Sequence, residues 1–407
     1  MDSSSLLIAT GDRVKVTTHA PTSVLPWQLA AVVFAATSVI VGLIWDISWH
    51  MTIGRDTFWT PAHLAIYTGG AVAGLACGFE VIRRSFFSKQ TPADGVTVWR
   101  LFNGPLGGWL CIWGAVAMLT SAPFDDWWHA AYGLDVKIIS PPHALLALGF
   151  ITILGGALVM AVAEQGREAD RAGATARADA GADAETAGVA PYLVAYAGGL
   201  VLAMLSIFTT EYHDREAMHL GSFYVVSSIV FPFALIAAAR STRLRFGATA
   251  TALVYTLVMC VQVWVLPLFE GSPKLGPIRT AVTHMVSLDF PLLLLAPAIC
   301  LDLLMPRIRQ RNAWLQAAML GVLFLAVHAA TQWPFANFLV SDASRNWFFN
   351  TDNIPYMMAP DWLRSMRQFA EEPAAQTVRA FGIAAVLAVL SARTGLAWGN
   401  WLRSVRR

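Results

Sequence analysis

Ten apolar runs, each of the length that crosses a lipid bilayer, constrain this chain more than any other feature. They cover 27–49, 62–82, 106–127, 142–163, 191–210, 219–239, 247–268, 284–304, 314–333 and 379–400. A hydrocarbon core about 30 Å thick takes about 20 apolar residues in helix. Backbone in lipid must also pair internally, which leaves helices and closed barrels. Barrel strands run about ten residues and alternate apolar with polar; these runs do neither. The expected fold is therefore all-α: a polytopic integral membrane helical bundle of about ten transmembrane helices. Composition agrees, since charged residues are 13% of the chain and hydrophobic ones 56%, against about 25% charged in soluble domains. A net charge of +2 gives no case for nucleic acid. Cys77, Cys111, Cys260 and Cys300 lie singly in apolar runs, as small buried side chains do.

Basic residues set the expected orientation. Arg83, Arg84, Lys89 and Arg100 follow the second run, and Arg167, Arg171 and Arg177 the fourth. Arg240, Arg243 and Arg245 follow the sixth, Arg307, Arg309 and Arg311 the eighth, and Arg403, Arg406 and Arg407 end the chain. The positive-inside rule then makes both termini cytoplasmic. The expected setting is a bacterial-type inner membrane with the alternate loops facing the periplasm. The expected organisation is a polar cytoplasmic tail (1–26, without the apolar core of a cleavable signal), a four-helix unit (27–163) and an Ala/Asp/Arg/Gly-rich cytoplasmic linker (164–189). A five-helix unit (190–333), an outer loop (334–377) and a last helix with a basic tail (378–407) follow. Trp347, Phe348, Phe349 and Trp362 make that outer loop either a packed cap or an interfacial anchor.

The first four runs carry a duplicated pattern. Run one ends Trp45-Asp46-Ile47-Ser48-Trp49-His50, and run two opens Thr60-Pro61-Ala62-His63. Run three ends Phe124-Asp125-Asp126-Trp127-Trp128-His129, and run four opens Ser140-Pro141-Pro142-His143. Asp46 aligns with Asp125, His50 with His129, Gly54 with Gly133, Asp56 with Asp135 and His63 with His143, the second connection being one residue longer. Residues four apart share a helix face, and the third residue opens the antiparallel neighbour. Each hairpin so offers one carboxylate and two imidazoles, a donor set for copper, iron, zinc or manganese. Asp126 and Asp56 are candidates to orient the ligands. The plainer reading pairs Asp46 with Arg55 and Asp125 with Lys137 and makes the neighbouring tryptophans belt anchors. Further candidates at the same expected depth are Glu211, His213, Asp214, His219, His284 and Asp289, with Glu270 near them; His19 and His328 lie off this level.

The spacing Asp46-x3-His50-x12-His63 resembles the metal-binding signature of the C subunit of copper membrane monooxygenases, over about 20 residues per hairpin. The resemblance implies that Asp46, His50 and His63, and by extension Asp125, His129 and His143, bind copper. It also implies that the protein oxidises a small apolar or lipid-soluble substrate with O2, with electrons from a quinol or other membrane donor. Two other functions fit the residues: metal handling, as a copper or zinc permease or an assembly factor, and a haem b carrier that pairs His50 with His129 or His63 with His143.

Overall fold

The computed structural model describes residues 25–405 apart from 56, 89–94, 134–139, 179–187, 360 and 362–366. Asp56, Asp135, Lys89, Lys137, Trp362, His19 and the chain's two ends lie outside the described residues. Among the described residues ten α-helices are formed: α1 (Trp27–Thr52), α2 (Pro61–Ile82), α3 (Leu106–Tyr132), α4 (Pro141–Ala178), α5 (Ala190–Phe208), α6 (Gly221–Ser241), α7 (Gly247–Val265), α8 (Leu295–Ile308), α9 (Ala313–Leu339) and α10 (Ala374–Ser404). Among the described residues nine of these, all but α8, are long and apolar enough to cross a membrane. A short antiparallel hairpin, β1 (Val96–Val98) with β2 (Phe102–Gly104), joins α2 to α3 at the end away from the repeated motif.

Small residues set the packing of the first four helices. In lipid no hydrophobic force drives helices together, so close backbone approach at Gly and Ala does. A Cβ on Gly69 would lie 2.8 Å from the Ala35 carbonyl of α1; one on Gly114 would lie 2.8 Å from the Gly149 carbonyl of α4. Ala35 and Gly114 hold equivalent places in the repeat, as do Gly69 and Gly149, so the two hairpins cross at the same point. The turns correspond as well. Gly54 and Gly133 both have positive φ, 79° and 86°, a conformation that glycine adopts freely. Thr60 and Ser140 are both buried just before the proline that opens the next helix. The duplication is one of backbone, not only of lettering.

Three expected boundaries are corrected. The run 284–304 is not one helix. Residues 285–294 are non-helical and α8 adds 14 residues, about 21 Å at 1.5 Å per residue, too short to cross alone. Pro291 explains the break: it lacks an N–H and disfavours helix at the residue before it. Met285, Val286, Leu288, Leu292 and Leu294 are buried, so their backbone needs partners inside the protein. Val286 N–H donates to Thr52 Oγ1 (2.8 Å), Leu288 N–H to Gln262 Oε1 (2.9 Å), Leu292 N–H to the Tyr255 hydroxyl (3.0 Å) and Leu293 N–H to Gln332 Oε1 (2.9 Å). Gln262 Nε2 donates back to the Leu288 carbonyl. The extended segment and α8 together occupy the apolar run 284–304.

The expected linker is also shorter than 164–189, because α4 continues through it to Ala178. Glu164 is buried and holds Arg167 (2.7 Å) and Arg171 (2.9 Å), and Gln165 Nε2 donates to the Ser241 carbonyl. Likewise α9 extends to Leu339, so the outer loop begins later than 334. Among its described aromatics, Phe349 packs on Phe290 and Phe338, while Trp347 and Phe348 lie against Trp264 and remain exposed.

Candidate metal centres

Both repeated hairpins bring their three polar residues together. In the first, Asp46 Oδ1 lies 3.1 Å from His63 Nε2, and Asp46 Oδ2 lies 3.9 Å from His50 Nε2. In the second, Asp125 Oδ1 lies 3.4 Å from His143 Nε2, and Asp125 Oδ2 lies 3.8 Å from His129 Nδ1. The helices explain this. Asp and the first His are one turn apart at the end of α1 or α3, and the second His sits in the first turn of α2 or α4. The carboxylate therefore occupies the space between the two imidazoles. Among the described residues no group of three or more His, Cys, Asp or Glu side chains is placed to hold a metal ion.

The orientation of His63 adds a constraint. Its Nδ1 lies 2.9 Å from the Thr57 carbonyl. A carbonyl oxygen only accepts, so Nδ1 carries the proton. Nε2 then turns either a lone pair or a second proton toward Asp46 Oδ1, which is buried and carries no hydrogen bond. A lone pair against a carboxylate oxygen is repulsive. A cation between them, a proton or a metal ion, would remove that repulsion. A ring whose other N–H is fixed by a backbone carbonyl is the usual arrangement of a ligating histidine. One carboxylate oxygen and two imidazole nitrogens fit copper or iron.

These centres are partly open. The Asp46 and His63 side chains are 19% and 20% exposed and His50 is 48% exposed. Tyr67 lies against His63, ring centroids 6.0 Å apart, and other aromatic rings are near in sequence. Phe58 packs edge-on to Trp59 at 4.9 Å and lies against Tyr67, and Trp128 packs on Tyr132 at 4.5 Å. Trp59, Trp127 and Tyr132 are exposed.

The other candidates do not join these centres. Asp126 is exposed, adjacent to Asp125 on α3. Asp289 is the counter-ion of Arg215, 3.1 Å from its Nε, and Arg215 is buried. His219 is clamped between Trp333 (4.1 Å) and Phe369 (3.5 Å), and desolvation there lowers its pKa. His284 is exposed, its Nδ1 2.9 Å from Thr283 Oγ1, and it forms a backbone bridge to Glu270. Glu211 is exposed. Asp214 also reaches the surface, yet desolvation, then Asp289 and Glu216, push its carboxyl up to about 6 against the pull of Arg215. His213 is buried with Nε2 3.1 Å from Ser227 Oγ, and burial pushes it down to about 4. Each of the four Asp–His approaches above joins residues of a single hairpin.

A second polar interior was not legible from spacing. His328 is fully buried inside α9, and neither ring nitrogen has a hydrogen-bond partner. Phe324 (5.3 Å), Phe223 (5.9 Å) and Tyr224 (5.9 Å) surround it. A lone histidine in an apolar run carries no pattern. Its spacing to Phe324 and Gln332, one turn to either side, was the only available signal.

No protein-family model, curated protein sequence or solved structure matches this chain. The class that the fold defines is an all-α polytopic membrane protein, and its most developed polar feature is a pair of equivalent Asp/His/His centres.

Proposed function

We propose that this protein is a membrane metalloprotein that binds one copper ion at each Asp/His/His set, iron being the next candidate, and works as an oxidoreductase. One observation carries the reading: two hairpins separated in sequence set a carboxylate against the same two imidazoles, at 3.1 and 3.9 Å in one and 3.4 and 3.8 Å in the other. Asp46, His50 and His63 hold one ion; Asp125, His129 and His143 hold the other. Bound copper supplies one-electron redox chemistry toward O2. The chain's own residues do the rest. The Thr57 carbonyl fixes the His63 ring. Asp46 neutralises part of the ion's charge. The neighbouring aromatic rings admit a small apolar substrate from the bilayer. Hydroxylation would consume O2, with two electrons and two protons from a quinol-type donor, and release water. On the positive-inside reading the centres face the periplasm.

The test is spectroscopic. Copper(II)-loaded protein in detergent is expected to show couplings from two imidazole nitrogens per ion, reduced to one at the first site in His63→Gln and to one at both sites when His143→Gln is added. A copper signal without nitrogen coupling would refute the ligand assignment.

A second reading is supported by the broken apolar run 284–304. Discontinuous spans held by side chains are a common device of transporters, which favours metal passage over catalysis. Copper uptake into proteoliposomes that is lost in Gln262→Leu would favour passage; O2 consumption with a quinol and no uptake would favour the oxidoreductase.

A further inference from the structure

The strongest unassigned feature lies at the opposite end of the bundle from the Asp/His/His centres. A cavity of about 320 Å³ opens between the start of α7 and the end of α8, lined by Arg245, Phe246, Asp302, Leu303, Pro306 and Arg307. Its chemistry is divided. Phe246, Leu303 and Pro306 form an apolar wall, and two guanidinium groups stand beside it. Arg245 lies over the Phe246 ring at 5.4 Å, and Arg307 Nη1 donates to the Leu303 carbonyl. Among the described residues neither arginine has a carboxylate partner in an ion pair.

The one acid in the lining is already engaged. Asp302 Oδ2 accepts from Thr249 N–H (2.7 Å) and Thr249 Oγ1 (2.7 Å), and Oδ1 accepts from Ala248 N–H (3.1 Å). It caps the first turn of α7 and, among the described residues, forms no ion pair with either arginine. Two such guanidiniums, beside an apolar wall at a membrane-helix end, suit a ligand with an anionic head and an apolar body. Basic pockets between transmembrane helices bind anionic lipid head groups in this way. The volume is at the low end of small-molecule sites, which run about 300–1,000 Å³. It therefore takes a phosphate head and the first part of a chain, while the remainder of the lipid stays in the bilayer. The phosphate accepts charge-assisted hydrogen bonds from Arg245 and Arg307; a zwitterionic lipid brings its own cation and gains less.

We propose that this cavity is a binding site for an anionic phospholipid, held through its phosphate by Arg245 and Arg307. The site is independent of metal binding at the other end.

The test uses full-length protein in a non-ionic detergent. Phosphatidylglycerol, phosphatidylcholine of the same chains and inorganic phosphate are compared by native mass spectrometry and by the thermal unfolding midpoint. One phosphatidylglycerol is expected to stay bound per chain and to raise the midpoint, with phosphatidylcholine at least tenfold weaker and phosphate without effect. Arg245→Gln with Arg307→Gln is expected to remove the preference, whereas Arg279→Gln, at the other end of the bundle, leaves it intact. The unliganded midpoint of each variant shows whether it has folded. Equal retention of the two lipids, an undiminished preference in the double variant, or a phosphate effect as large as that of phosphatidylglycerol would each overturn the proposal.

Discussion

Histidines in this chain do three different jobs, and their surroundings decide which. His63 has one nitrogen committed to a carbonyl and the other aimed at a carboxylate, a contact that a cation between them would relieve. His213 is buried and neutral. Its depressed folded pKa of about 4 means that the unfolded chain, titrating near the ordinary value of about 6.5, binds the proton first. Stability is therefore expected to fall as pH drops from about 6.5 to 4, by roughly 3 kcal/mol for a shift of this size. Asp214, raised to about 6, works the other way: its folded form takes the proton more readily, so its contribution declines as pH rises from about 4 to 6. Unfolding midpoints measured across this range are expected to lose their acid-side fall in His213→Gln; an unchanged profile would show that His213 does not cause it. His328 has no partner at either nitrogen, and an unpaired buried polar group costs about 1–3 kcal/mol. His328→Leu is accordingly expected to keep or raise the unfolding midpoint. A drop of several degrees would show that its nitrogens carry bonds. Sequence made the first role legible, because Asp, His and His repeat at fixed spacing. It did not separate His219 or Asp289 from that set. Stacking on Trp333 and pairing with Arg215 join residues more than 70 positions apart.

At the scale of elements, hydropathy located nine spanning helices, set the end of α4 15 residues short, and misjudged one run. Residues 284–304 are apolar enough to look helical, but hydropathy is blind to where backbone hydrogen bonds go. The deciding residues, Gln262, Tyr255 and Gln332, lie on other helices. Gln262 serves both the N–H and the carbonyl of Leu288. Gln262→Leu orphans both and is expected to cost about 2–5 kcal/mol, read as a lower unfolding midpoint; a change under 1 kcal/mol would mean that the segment finds other partners. The hairpin contacts make a second prediction. A Cβ on Gly149 would lie 2.6 Å from Met118 Cγ and 3.0 Å from the Gly114 carbonyl. Gly149→Leu should force α3 from α4 at a cost of about 1–3 kcal/mol. It should weaken metal binding at Asp125, His129 and His143 while leaving the first hairpin's site intact. Equal loss at both sites would contradict two self-contained hairpins.

For the whole molecule, polar chemistry is divided between two ends. Two Asp/His/His centres stand at one, and two arginines beside an apolar cavity at the other. The broken apolar run 284–304 is tied to α1 through Thr52, one turn beyond Ser48 and close to His50. The bundle and the duplication were legible because both are periodic in sequence; the second polar interior around His328 was not, because its members come singly from α6 and α9. The central claim is that the duplication is a duplication of metal sites. Counting copper ions per chain after loading and removal of excess metal tests it most directly. Two ions are expected in the unaltered protein, one in Asp46→Ala, one in Asp125→Ala and none in the double variant. A folded protein that retains no copper or iron, or that keeps both ions when both carboxylates are removed, would contradict it.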